Sequence, residues 1–200
     1  SFNENFVKKI REITKKRKIA LIFDECTSGF RENFGGLHMK YNVSPDLCML
    51  GKALGNGYAI TAVIGKSKIM SKANDSFISS TFWTERIGSI AGLKTLEIMG
   101  KTKSWKYISS LGLYIKKEWH KLSNKHNIPI TVSGLDSIPS FTLNIKKPLF
   151  YKTFITQEML KKNYLASNQI FLSIYHSKKI IDKYITNLDP IFRKISFFEK

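Results

Sequence analysis

Acidic residues are scarce in this sequence: 15 Asp and Glu stand against 33 Lys and Arg, a formal charge of +18 over 200 residues. An excess of that sign raises nucleic acid as a partner, because basic surfaces bind phosphate backbones through counterion release. Its distribution points elsewhere. The cations are mostly lysines strewn through helical stretches such as KKIREITKKRK, KSKIMSK, LYIKKEW and HSKKIIDK, whereas the guanidiniums that read bases are few. A lysine-rich composition on solvated helix faces accounts for the charge, and no specific nucleic-acid partner is expected. A non-catalytic basic binding module stays open as a reading that the charge alone supports.

Cysteine is scarcer still. Cys26 and Cys48 sit in apolar context with no CxxC and no flanking His, so both read as reduced core thiols. No apolar run approaches the roughly 18 residues of a membrane span, and no membrane partner is expected. No leader-like segment is visible, which makes the cytoplasm the expected compartment.

Familiar site motifs are also missing. GKALGNG carries its lysine before the glycines, so it is not a phosphate loop, and GNG lacks the third glycine of the dinucleotide fingerprint. GxSxG is absent, which leaves a hydrolase elbow without support. The histidines, His38, His120, His126 and His176, form no ligand pair at i, i+4. Each reads as a surface or interface residue, and no metal is expected.

What is present suffices for a core, with 42% hydrophobic residues. The opening SFNENFVKKIREITKK places Phe2, Phe6, Ile10 and Ile13 at helical spacing, as though the chain began inside a larger fold. This helix, over residues 2–17, leads into an apolar strand IALIF that stops at the acidic pair Asp24 and Glu25. A short helix through His38 to Tyr41 precedes a second strand, Leu47 to Leu50, and after GNG a third runs from Ala59 to Ile64. Strands interleaved with helices in this way argue for an α/β unit with a parallel or mixed sheet. A long helical region over residues 86–126, broken near Gly100 to Lys103, separates it from VSGLDSIPSFTLNI, which alternates as a strand or hairpin. Helices over residues 149–162 and 177–199 close an α+β end. The expected domains are residues 1–105 and 106–200.

In open α/β sheets, ligands collect at the carboxyl ends of strands. Asp24 sits at one such end, and Lys52 follows the next strand, ahead of a glycine-rich turn. A carboxylate and an ammonium in one crevice can be a buried salt bridge. They can equally be a cofactor site, since a lysine amine in an apolar pocket is readily deprotonated and forms a Schiff base. A pyridoxal ring requires such a lysine and an acidic partner for its pyridine nitrogen.

Three stretches, LIFDECTSGFR, SPDLCMLGKALGNGYAITAVIGK and SSTFWTERIGSIAGLKTLEIM, together resemble the class III aminotransferases, most closely their glutamate-1-semialdehyde aminomutase branch. The closing QEMLKKNYLASNQIFLSIYHSKKIIDKYI is similar to the end of that family's small domain. The resemblance implies a fold type I architecture: the later part of a large mixed-sheet domain, then a C-terminal α+β domain. It implies pyridoxal 5'-phosphate as cofactor, an amino donor and a carbonyl acceptor as substrates, and a homodimer with shared active sites. On the matching positions, Asp24 would pair with the pyridinium nitrogen, and Lys52 would be the Schiff-base lysine that also moves a proton. Cys26 stands where the family usually packs Val against the ring. Thr81 stands where a threonine hydroxyl reaches the cofactor phosphate of the neighbouring subunit. Glu25, Arg31 and Glu85 read as structural, and Gly51, Gly55 and Gly57 as close-approach glycines or ordinary turn residues.

The sequence also departs from the family. Phe82, Trp83, Thr84 and Glu85 replace the usual small-Gly-Asn-Pro segment, and SNQI replaces a longer acidic segment before FLS. Both changes favour amino transfer over the aminomutase reaction, which stays the alternative. The family's phosphate-cradling loop and ring-stacking aromatic are expected upstream of residue 1.

Overall fold

The computed structural model describes residues 4–199, and the chain divides into two compact units, residues 2–106 and 107–200. Phe2, and with it the start of the first expected helix, lies outside the described residues.

The first unit opens with α1 (Glu4–Lys16), which carries Glu4 in its first turn and Lys15 and Lys16 in its last, charges that complement the helix dipole. Val7 is its buried residue, whereas Phe6 and Ile13 stay exposed, so the apolar stripe read from the sequence is only partly covered. Three strands follow: β1 (Ile22–Glu25), β2 (Leu47–Leu50) and β3 (Ala62–Gly65). β1 and β2 are parallel, with Asp24 opposite Met49, and β2 and β3 are antiparallel, which makes the sheet mixed.

The first strand is displaced from its expected place. Asp24 and Glu25 lie inside β1, and Ile19 to Leu21 precede it. The cause is Asp46: its carboxylate takes the Leu21 amide at 2.8 Å, while the Leu21 carbonyl accepts from the Asp46 and Leu47 amides. A side chain therefore replaces the first rung, and the ladder proper starts at Ile22 opposite Leu47. Likewise β3 starts at Ala62 rather than Ala59, since the residues before it form turns. A short α2 (Leu37–Lys40) lies between β1 and β2, and α3 (Ser67–Met70) with a 3-10 turn (Ser71–Asp75) follows β3. Helix α4 (Arg86–Thr102) ends at Lys103, whose left-handed backbone (φ 50°) supplies the break expected near that point. Phe30, Cys48, Leu50 and Leu54 form the small core, with Ile60, Leu96 and Met99 packed against it.

The second unit holds most of α5 (Ser104–His126), the hairpin β4 (Ile130–Leu135) and β5 (Ile138–Leu143), α6 (Pro148–Leu160) and α7 (Lys178–Phe198). Its core is larger. Trp119, Phe141 and Phe192 are fully buried with Ile115, Ile155, Met159 and Leu188. Trp119 meets Phe141 edge to face at 4.8 Å between centroids, and its indole donates to the Tyr184 hydroxyl at 3.1 Å, so the buried polar atom is satisfied. Gly112 lets α5 touch the hairpin turn: a Cβ there would stand 1.5 Å from the Asp136 carbonyl oxygen.

Candidate active site

The register of β1 on β2 decides which residues meet. Asp24 pairs with Met49, so the loop leaving β1 runs beside the turn leaving β2, at the carboxyl ends of two parallel strands. Asp24 is exposed, and its Oδ1 accepts the Cys26 amide at 3.1 Å. That amide foremost, then the Cys26 thiol and the nearby Lys52 ammonium, holds its pKa below the ordinary carboxylate value. The carboxylate is thus ionised at neutral pH.

Lys52 is also exposed, so the apolar pocket expected around it is not built by the described residues. Its backbone is left-handed (φ 41°), fixed by the Leu54 amide on the Gly51 carbonyl and the Asn56 amide on the Lys52 carbonyl. Its Nζ donates to the Thr27 hydroxyl at 2.6 Å. Among the described residues no ion pair joins Lys52 to Asp24, which removes the buried salt bridge as an account of the two. Farther along the same turn, Gly57 has φ 105°, a conformation that favours glycine.

Cys26 is half-buried and faces the Gly51 backbone: a Cβ on Gly51 would lie 3.5 Å from its sulfur. Burial, then Asp24, pushes its thiol up, so it packs as a neutral group rather than as a fully buried core thiol. Thr81 lies in an exposed turn preceded by irregular chain. Helix α4 is preceded by Glu85 at its N-cap with no side-chain cap bond, so Thr81 does not cap it.

Thr27 was not singled out in the sequence, although a hydroxyl beside an acidic strand end is the signal that could have found it. Glu25, by contrast, points to the other side and is buried. Its carboxylate accepts from the Leu37 amide, from the His38 amide at 3.0 Å, from the His38 ring at 2.7 Å and from Ser28 at 3.2 Å. The ligand atoms of Glu25, His38 and Cys48 lie within 4.8 Å of one another. Four donors already fill the carboxylate, and burial pushes the Cys48 thiol up to about 11, so these groups tie the loop to the sheet as a hydrogen-bonded cluster. His38 and His126, the latter on Asp189 at 2.5 Å, are therefore internal partners rather than surface residues. Arg31 fixes the same loop by donating to the Thr27 carbonyl at 2.8 Å.

A family model described as Aminotransferase class-III matches residues 1–159. The 3-aminobutyryl-CoA aminotransferase of Cloacimonas acidaminovorans is 32% identical over 86% of this chain and 41% of its own length. The glutamate-1-semialdehyde 2,1-aminomutase of Thermodesulfovibrio yellowstonii is 32% identical over 96% and 49%. The chain thus spans about half the length of the curated relatives it matches. Among solved structures, the internal aldimine form of the FumI protein of Sphingopyxis sp. superposes with a TM-score of 0.88 at 22% identity, over 96% of this chain and 47% of that one. An omega-transaminase from Sphaerobacter thermophilus gives 0.86 at 20% identity, over 96% and 48%. The architecture is that of the fold type I transaminases, and the chain belongs to the class-III aminotransferase family.

Proposed function

We propose that this chain carries the carboxylate and the lysine of a pyridoxal-phosphate-dependent aminotransferase, which moves an amino group between an amine donor and a keto or aldehyde acceptor. One observation carries the reading: Asp24, kept ionised, and Lys52, held in a fixed backbone turn, stand at adjoining strand ends without neutralising each other. These residues fit the cofactor, because it requires an anionic partner and an amine in one crevice. Bound pyridoxal phosphate supplies an electron sink for the carbanion formed at the substrate α-carbon. With the cofactor bound, Asp24 would hold the ring nitrogen protonated. Lys52 would be the residue of covalent attachment and the base that moves a proton at the α-carbon. Cys26 would offer a small apolar surface to the ring.

The Thr81 hydroxyl, in an exposed turn and without a hydrogen-bond partner among the described residues, suits the phosphate of a neighbouring subunit, and a homodimer is the working unit of this proposal. Cytoplasmic residence belongs to the same proposal. Among the described residues no helix is long and apolar enough to cross a membrane.

A second reading, an intramolecular amino shift, is favoured by the aminomutases among the relatives. The binding-module reading rests on the net charge alone, whereas the amino-transfer reading has the class-III family match over residues 1–159 behind it. Half-reactions separate these. The full-length protein loaded with cofactor should lose its visible band on adding an amine donor, release one equivalent of carbonyl product, and recover the band with a carbonyl acceptor. Release of no free carbonyl product favours the amino shift. No spectral change, with salt-steep oligonucleotide binding, would leave the basic module.

A further inference from the structure

We infer that Thr27 is the positioning residue for Lys52, an inference that rests on the pyridoxal-phosphate reading above. Three observations place it. The Thr27 hydroxyl accepts from the Lys52 ammonium at 2.6 Å across the gap between two strand ends. Its backbone is anchored on the other side, because its carbonyl accepts from Arg31 Nε at 2.8 Å, and the loop behind it is fixed by the Gly29 amide on the Glu25 carbonyl, also at 2.8 Å. And Lys52 itself springs from a left-handed residue (φ 41°), so its stem starts in one direction only.

A lysine side chain has four rotatable bonds, and an exposed one samples many rotamers at a considerable entropic cost when it must react in one of them. Threonine is suited to restrict it, since β-branching leaves few χ1 states and thus few directions for the hydroxyl. Holding Nζ at Thr27 keeps the amine on the Asp24 side of the crevice. There it can attach the cofactor, and there it can return after a substrate amine has displaced it. Thr27 takes no part in bond making. Its effect is on how often the amine is in place.

The test uses the full-length protein freed of cofactor, with wild type, Thr27→Val and Thr27→Ser mixed with pyridoxal phosphate and quenched with borohydride at timed intervals. The pyridoxyl group on the Lys52 peptide is counted, and melting temperatures are recorded alongside. Thr27→Val keeps the shape and removes the acceptor. It should slow labelling of Lys52 by about fivefold to tenfold, less than a desolvated charged hydrogen bond is worth because both residues are exposed, with an unchanged melting temperature. Thr27→Ser should stay within about twofold of wild type. Equal rates for all three proteins would overturn the inference, as would a serine variant as slow as the valine one or a slow rate accompanied by a lowered melting temperature. A wild-type protein that acquires no label at Lys52 would instead overturn the cofactor reading, and the inference with it.

Discussion

The Asp46 carboxylate accepts the Leu21 amide at 2.8 Å, and this one contact sets where the parallel ladder begins. Arg11 from α1, also at 2.8 Å, and Lys66 after β3, at 2.7 Å, converge on the same group. Their joint effect, with the Leu21 amide foremost, holds its pKa well below the ordinary carboxylate range. Asp46 is buried and touches three segments around the sheet, so it acts upstream of the site. The register it fixes carries Asp24 and Lys52 to adjoining strand ends.

Asp46→Asn should lower stability at neutral pH by about 1–2 kcal/mol, because the part-buried Arg11 and the exposed Lys66 lose their counter-charge and the Leu21 amide keeps only a neutral acceptor. A group with a depressed folded pKa stabilises fully above its unfolded value of about 3.9. That contribution is lost as pH falls through the folded value. Denaturation in urea at pH 7 and at successively lower pH should therefore show the gap between wild type and variant closing below pH of about 4. A pH-independent gap would contradict it.

In the second unit, Gly112→Ala should cost about 2–3 kcal/mol, since the new methyl would drive α5 off the Asp136 carbonyl. A thermal melt that moves by less than a degree would show that the turn yields freely.

The order of elements was legible from periodicity and punctuation: VSGLDSIPSFTLNI became the hairpin β4 and β5, and the break in the long helix falls at Lys103. The edge of β1 was not, because nothing in IALIFDE reveals that an aspartate over twenty residues later takes the Leu21 amide. At the site, Asp24 and Lys52 could be read from their places after apolar runs. Thr27 offered only a hydroxyl beside an acidic strand end, and its contact with Lys52 spans 25 residues of sequence. The resting place of Lys52 was misread for a similar reason: an apolar run before a lysine does not show which walls surround its ammonium.

Asp24→Asn should leave cofactor binding largely intact and remove most of the single-turnover transfer rate, because a neutral amide cannot hold the ring nitrogen protonated. As the wild-type carboxylate is held below its ordinary value by the Cys26 amide, the transfer rate between about pH 5 and 8 should carry no titration from Asp24. An unchanged rate in the variant, measured by stopped-flow absorbance, removes the electronic role.

Thr81→Val should weaken cofactor binding by about tenfold to a hundredfold, the worth of one charge-assisted hydrogen bond to a phosphate. The melting temperature of the cofactor-free protein should hold, since Thr81 is exposed and caps no helix. If the phosphate belongs to a neighbouring subunit, affinity should also fall on dilution below the dimer's dissociation range. Affinity that is indifferent to both changes would detach Thr81 from the cofactor.

The most direct measurement is the position of the covalent link. The full-length protein, incubated with pyridoxal phosphate, reduced with borohydride and digested, should yield the pyridoxyl group on the peptide containing Lys52, and Lys52→Ala should abolish that label. The label on any other of the many lysines, or its persistence in Lys52→Ala, would contradict the assignment of this turn as the catalytic centre.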